Sequence, residues 1–183
     1  MEILKKRYPK KAVLGGRPLV LRPMEASDEK GLLAFFKKIP AEDRLLLKDD
    51  VVDAKTVKSW CRSLDYARVL PLLAIDGKKI VGDATLHREQ GWMNHVARVR
   101  AVVDPTYRGC GLGQALVNEF VEVARELKIS MVDAEIMAEQ KAGRKMFESL
   151  GFTIVAMLPH HALDREGKAH DVVVLSRQIM APS

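Results

Sequence analysis

The stretch Val-Arg-Ala-Val-Val-Asp-Pro-Thr-Tyr-Arg-Gly-Cys-Gly-Leu-Gly-Gln-Ala-Leu, residues 99–116, decides the fold. It opens as a valine-rich apolar run, which suits a strand buried on at least one face. Asp104-Pro105 stops that strand, because proline cannot donate to a ladder and restricts the residue before it. Arg108-Gly109-Cys110-Gly111-Leu112-Gly113 then forms a glycine-rich bend. From 114 to 127 the spacing is helical, with Ala115, Leu116, Phe120, Val123, Ala124 and Leu127 on one side. Strand, glycine bend and helix start together describe an anion site. The first N–H groups of a helix lack intrahelical partners, the peptide dipoles favour negative charge there, and glycines let the backbone come close.

Two familiar phosphate motifs do not match. A nucleotide phosphate loop ends in Gly-Lys-Ser/Thr, and Gly113 is followed by Gln114. The dinucleotide pattern G-x-G-x-x-G needs a third glycine at position 114. The pattern that fits is R-x-x-G-x-G, carried by Arg108, Gly111 and Gly113. By itself this hexapeptide also reads as a left-handed glycine turn before an ordinary helix. Embedded in V-V-D-P-x-Y-R-G-x-G-L-G-x-A-L, it resembles the pyrophosphate-binding motif of the GNAT family of acyl-CoA-dependent N-acyltransferases.

Composition narrows the class. A chain of 183 residues, 48% hydrophobic and 30% charged, suits one soluble domain with its own core. No apolar run approaches the ~20 residues of a membrane span, and the first residues carry no signal-peptide pattern. Cys61 and Cys110 are too few and too far apart for a disulfide framework or metal-ligand spacing, so the expected compartment is a reducing cytoplasm. Of the net charge of +6, residues 1–17 hold +5, through Lys5, Lys6, Arg7, Lys10, Lys11 and Arg17 against Glu2. That segment reads as a solvated basic arm ahead of a single domain over 18–183. Without interleaved aromatics or a recognition-helix pattern, nucleic-acid binding ranks low.

In chain order, Gly15-Gly16 reads as a flexible break and 18–24 as a first strand. Ser27 is the expected cap of a helix whose buried side holds Leu32, Leu33, Phe35, Phe36 and Ile39, ended by Pro40. A short helix follows over 41–48, and Asp53 caps a third in which Val57, Trp60, Cys61 and Leu64 share a face. Strands over 69–75 and 79–87 form a hairpin across Asp76-Gly77, and 95–103 leads into the glycine loop. After the long helix come a strand over 130–137, a helix over 140–150 ending at Gly151, and paired strands over 152–158 and 169–179. The order β-α-α-α-β-β-β-α-β-α-β-β gives an α/β (α+β type) fold, a mixed and mostly antiparallel sheet with helices on both faces. It resembles the GNAT fold from Pro18 onward.

The resemblance implies a site. Ala101, Val102 and Val103 would offer backbone groups to the pantetheine arm and an N–H to the thioester carbonyl. The pyrophosphate would fall on Arg108, Gly109, Cys110, Gly111, Leu112 and Gly113. Gln140 stands where the family usually has an asparagine touching the CoA arm. Two departures bear on chemistry. Phe147 occupies the position of a tyrosine acid found in many relatives, and Arg98 the position of a glutamate base. An arginine cannot act as a base at neutral pH. Glu135, on the strand beside the cofactor strand, is then the candidate general base, with a pKa expected to be raised by enclosure. Its other reading is a carboxylate paired with Arg98 or Arg100. Asp83 is held in reserve. Cys110, at a helix start, is a small residue in a tight loop or a modifiable thiol. His160, His161 and His170 lack metal-ligand spacing, and no metal is expected.

The expected activity is transfer of an acetyl group from acetyl-CoA to a primary amine, on a protein lysine or a small molecule. The segment L-R-P-M-E-A-S-D, followed by F-F-K-K-I-P-A-E-D-R, resembles the opening of bacterial protein-acetylating GNAT domains. The alternative is a CoA-binding sensor domain with degenerate catalysis, prompted by Phe147 and Arg98. A homodimer is compatible with either.

Overall fold

The computed structural model describes residues 2–180; position 1 of the basic segment and positions 181–183 of the domain lie outside the described residues. Eight strands form one sheet in the order β1-β2-β3-β4-β5-β6-β8-β7. They are β1 (Lys10–Leu14), β2 (Arg17–Pro23), β3 (Val69–Asp76), β4 (Lys79–Arg88), β5 (Val96–Val103), β6 (Met131–Met137), β7 (Thr153–Leu163) and β8 (Ala169–Gln178). All pairings are antiparallel except β5 with β6. The helices are α1 (Glu2–Arg7), α2 (Glu29–Lys38), α3 (Ala41–Leu45), α4 (Ala54–Arg62), α5 (Leu112–Glu126) and α6 (Lys141–Ser149).

Strand alternation sorts two cores. Leu70, Leu72, Ala84, Leu86, Ala97 and Val99 bury on the face covered by α5, against Leu116, Val117 and Phe120. On the other face Leu73 and Ile80 meet Leu32, Phe35 and Phe36 of α2 and Val57 and Cys61 of α4. Gly82 is the narrow point of the first face: a Cβ there would stand 3.1 Å from Leu116 and 3.3 Å from Leu112. The expected mixed sheet with helices on both faces is what the chain forms, with two more elements at its start.

Those two elements correct the solvated-arm reading of residues 1–17. Val13 and Leu14 pair with Pro18 and Arg17 across Gly15 and Gly16, whose φ values of 57° and 75° make a two-residue hairpin turn rather than a flexible break. Two of the segment's cations meet carboxylates of α5. Arg7 Nε donates to Glu119 Oε1 at 2.5 Å and Lys10 Nζ to Glu119 Oε2 at 2.6 Å, and Glu119 on α5 is only 5% exposed. Burial alone would raise the Glu119 pKa, but the two cations hold it below the usual range. Leu4 and Tyr8 join the α5 core.

Smaller differences have local causes. Ser27 does not cap α2. A 3₁₀ turn over Ala26–Asp28 precedes it, and Asp28 instead accepts from Glu25 N–H at 2.7 Å while Arg22 grips both its oxygens. Asp53 caps α4 as expected, accepting from the N–H groups of Lys55 and Thr56. β7 runs on past Leu158 because a register shift near His160, at φ 52°, lets the strand resume at Ala162 opposite His170.

Candidate active site

The site begins where two strands part. β5 stays paired with β4 as far as Val103 opposite Gly82, but with β6 only as far as Arg98 opposite Asp133. His95 O accepts from Ser130 N–H at 2.9 Å on the β6 side, whereas Val96 O accepts from Glu89 N–H at 3.1 Å on the β4 side. Backbone groups alternate along a strand, so Ala101 and Val103 aim theirs at the gap, where no described strand meets them. Val102 faces β4 with its backbone and lines the cavity with its side chain. Of the three β5 positions singled out in sequence, two therefore offer main-chain groups and one offers only packing.

Beyond the gap lies the glycine loop. Asp104 ends β5 and caps a 3₁₀ turn over Pro105–Tyr107, accepting from Thr106 N–H at 2.9 Å and its hydroxyl at 2.7 Å. Gly109 and Gly111 take φ of 75° and 85°, values L side chains rarely adopt. The first helical bond of α5 runs from Ala115 N–H to Gly111 O at 2.9 Å, leaving the N–H groups of Leu112, Gly113 and Gln114 without intrahelical acceptors. The Leu112 side chain itself is core, 1% exposed. Arg108 is half-exposed and pairs with Asp43 at 2.6 Å. Cys110 donates its thiol to Tyr107 O at 2.9 Å, and a Cβ on Gly15 would sit 2.8 Å from Cys110 Cβ. The β1–β2 turn thus buttresses the loop, and Arg17 stacks 4.5 Å over the Tyr107 ring.

On the sheet face opposite α5 opens a cavity of about 470 Å³. Register builds its floor: Asp83, Thr85 and His87 alternate along β4, with Val69 and Pro71 beside them on β3 and Arg100 and Val102 on β5. Met24, Phe36, Trp60 and Leu64 wall it from the helical side, and Glu135, Ile136, Gln140 and Phe147 close it at β6 and α6. Gln140 Oε1 accepts from Met137 N–H at 2.9 Å, which fixes the turn into α6. Phe147 is buried edge-on to Phe152 at 5.1 Å and carries no hydroxyl to donate.

Electrostatics separate the two carboxylates. Glu135 contacts Lys48 Nζ with one oxygen and stands 3.2 Å from Arg98 Nε with the other. Burial pushes its pKa up, but Lys48, Arg98 and Arg100 outweigh that and hold it below the usual carboxylate range. The expectation of a raised Glu135 pKa is therefore corrected: its neighbours are cations. Asp83 is the reverse case. It is 9% exposed, its Oδ1 has no hydrogen-bond partner among the described residues, and burial pushes its pKa up to about 7. His87, bonded through Nε2 to Thr85 Oγ1 at 2.9 Å, is driven down to about 4 by burial and by Arg100, Arg98 and Lys48. It is a neutral imidazole at neutral pH. Sequence reasoning missed Thr85, His87 and Lys48. The signal for the first two was present as Gly82, Ala84 and Leu86 alternating with Asp83, Thr85 and His87.

A strand pair that splits beside a glycine-capped helix start, over a cavity with one buried carboxylate, narrows the comparison with known proteins. The family model described as Acetyltransferase (GNAT) family matches residues 36–152. The "Putative phosphinothricin acetyltransferase YwnH" of Bacillus subtilis (strain 168) is 33% identical over 163 residues, 88% of this chain and 99% of that one. The chain belongs to the GNAT acetyltransferase family. It is an N-acetyltransferase, moving an acetyl group from acetyl-CoA to an amine. The L-amino acid N-acyltransferase MnaT of Escherichia coli (strain K12) is 26% identical over 113 residues, 61% of this chain and 66% of that one. The fold is shared by yncA of Salmonella typhimurium, solved with acetyl-CoA, at a TM-score of 0.75 and 18% identity over 90% of this chain and 96% of that one. No group of three His, Cys, Asp or Glu among the described residues could hold a metal ion, and no described helix is long and apolar enough to cross a membrane.

Proposed function

We propose that this acetyltransferase uses Asp83 as its general base and acts on a small primary amine that carries an anionic group. The observation that carries the reading is the buried, unpartnered Asp83 Oδ1 in the cavity floor, on β4 opposite Val102 of β5. A carboxylate with a pKa near 7 is ionised in about half the molecules at neutral pH and basic enough to take an ammonium proton directly or through water. Thr85 and the neutral His87 continue from it along β4 as a polar track in the cavity lining. With Asp83 as base, the departure at Arg98 no longer argues for a sensor domain, whereas Phe147 still leaves the family's tyrosine acid absent.

Acetyl-CoA then lies along the gap. Its pyrophosphate rests on Arg108, Gly109, Cys110, Gly111 and Gly113 and on the Leu112 N–H, the pantetheine arm follows Ala101 and Val103, and Gln140 flanks it. Tetrahedral charge on the thioester oxygen would meet a β5 N–H. With Phe147 in place of a phenol, the leaving thiolate is reprotonated by solvent. Arg100 supports the anionic group on the acceptor: it lines the cavity, its Nε is buried without a hydrogen-bond partner, and Asp49 approaches its Nη1 at 3.5 Å. The L-amino acid acceptors in the name of MnaT agree with that chemistry. A protein lysine remains the second acceptor class. Two further assignments go with this reading. The two cysteines, both free, suit a reducing cytoplasm. β7 is a sheet edge with Val155, Met157 and Leu163 more than half exposed, and antiparallel edges are self-complementary about a two-fold axis, which suits a second copy of the chain.

The test is the pH–rate profile of Asp83→Asn. The parent kcat/KM should rise with pH through about 7, and the variant should lose that limb and about 10²–10⁴-fold in rate while still binding acetyl-CoA. If Asp83→Asn keeps the limb and Glu135→Gln removes it, the base is Glu135.

A further inference from the structure

One amine of the chain lines the cavity proposed for the acceptor. The segment 46–53 between α3 and α4 is fastened across the cavity by the β7–β8 turn: Arg165 Nη1 donates to Asp50 Oδ1 at 3.0 Å and Nη2 to Asp49 O at 2.6 Å. Between these anchors and the cavity-lining Leu47, the Lys48 side chain, 41% exposed, lies along the cavity rim and contacts the Glu135 carboxylate. Glu135 lies two residues past Asp133, the last residue of β6 in register with β5. The ammonium is therefore held on the β6 lip of the gap, opposite the open edge of β5 that carries Ala101.

We propose that Lys48 is a self-acetylation site, modified within its own chain when acetyl-CoA is bound and no other amine fills the cavity. The inference rests on acetyl-CoA lying in the β5–β6 gap. The thioester C–S bond breaks and an amide N–C bond forms at Lys48 Nζ. Of the two protons the ammonium gives up, one goes to a cavity carboxylate and on to solvent, and the other leaves through solvent, which reprotonates the departing thiolate. No further reactant is needed. Two features favour Lys48 over the chain's other lysines. It lines the same cavity as Ala101 and Asp83, and its ammonium is held there by Glu135 on β6. Acetylation removes the cation from Glu135 and one of the ties holding the segment 46–53 over the cavity, so it also alters access for later acceptors.

The experiment incubates the full-length protein with isotope-labelled acetyl-CoA at neutral pH without added amine, followed by peptide mass mapping. One labelled acetyl group per chain at Lys48 is expected, with a first-order rate unchanged by protein concentration, and with no label at that position in Lys48→Arg. Lys128 and Lys145, outside the cavity, should label far more slowly. Label spread evenly over surface lysines, or a rate proportional to protein concentration, overturns the proposal. So does an unmodified Lys48 in protein that binds acetyl-CoA and acetylates an external amine, an outcome that leaves the assigned reaction standing. Absence of acetyl-CoA binding, measured by calorimetry on the same preparation, removes the site assignment and this inference together.

Discussion

The two halves of the site are built by different means. The half proposed for acetyl-CoA is mainly backbone from one short stretch: the open edge of β5, the turn after Asp104, and the first N–H groups of α5, all within residues 101–114. The half proposed for the acceptor is side chains from distant parts of the chain, brought to one cavity, with Pro71, Asp83 and Arg100 from three strands and Lys48 from a loop. A main-chain site depends on where glycines and prolines allow the chain to turn, so its ligand is set by the fold. A side-chain site can be rewritten one residue at a time without moving a strand. Such a division suits an enzyme whose donor is fixed and whose acceptor is not.

The largest effect should come from breaking the backbone half. At Gly113 a Cβ would meet Met146 Sδ at 3.0 Å, the movable end of a flexible side chain, so alanine should be tolerated there. Glutamate adds bulk and negative charge at the position proposed for the pyrophosphate. Gly113→Glu should abolish acetyl-CoA binding by calorimetry while the protein stays folded by circular dichroism, and Gly113→Ala should retain most of it. Equal affinity in the two variants would move the pyrophosphate elsewhere.

Next comes the acceptor half. A charge-assisted hydrogen bond to a guanidinium contributes roughly 1.5–3 kcal/mol. Arg100→Gln should thus raise KM about 10–100-fold for an amino acid acceptor, and hardly at all for the amine lacking its carboxylate. A uniform loss for both acceptors would make Arg100 structural. Asp83 sharpens the contrast differently, because its cost appears in stability. Its folded pKa of about 7 lies above the ordinary 3.8, so ionisation opposes folding. Stability declines as pH rises from about 4 to about 7 and is lowest above that. Asp83→Asn should therefore be more stable than the parent above pH 7, by at most about 4 kcal/mol, with the gap closing toward pH 4. Denaturant melts at several pH values read this directly.

The same contrast explains what could be read from sequence. The glycine loop, the Asp76-Gly77 hairpin and the Asp53 cap are local, and each appears where spacing places it. The first hairpin was equally local: Gly15-Gly16 between two apolar runs is a hairpin signal, masked by the basic residues around it, whose partner Glu119 is more than a hundred positions away. The charge states of Glu135 and Asp83 were not legible. Both are acidic residues on strands, and only the fold puts three cations near one and none against the other.

The smallest effect tests whether the two halves are joined through their outer rim. His170, at the start of β8, is 5% exposed and has a carboxylate at each ring nitrogen, Glu139 at Nδ1 and Asp164 at Nε2, both at 2.9 Å. Glu139 precedes Gln140 in the turn into α6, and Asp164 shapes the β7–β8 turn by accepting from the N–H groups of Glu166 and Lys168. That turn carries Arg165, which fastens the segment bearing Lys48. The hydrogen bonds to Asp164 and Glu139 raise the His170 pKa. A histidine raised on folding stabilises fully below its ordinary value, near 6.5, and loses that contribution as pH rises through its folded value. His170→Gln should therefore lower Tm by a few degrees at pH 6 and by less at pH 9. At pH 6 it should also raise KM for both acetyl-CoA and acceptor slightly, with kcat nearly unchanged, because His170 positions the turns and touches neither substrate. A Tm difference independent of pH would mean that the imidazolium contributes only its shape, and a change in kcat alone would mean that the rim reaches the chemistry by another route.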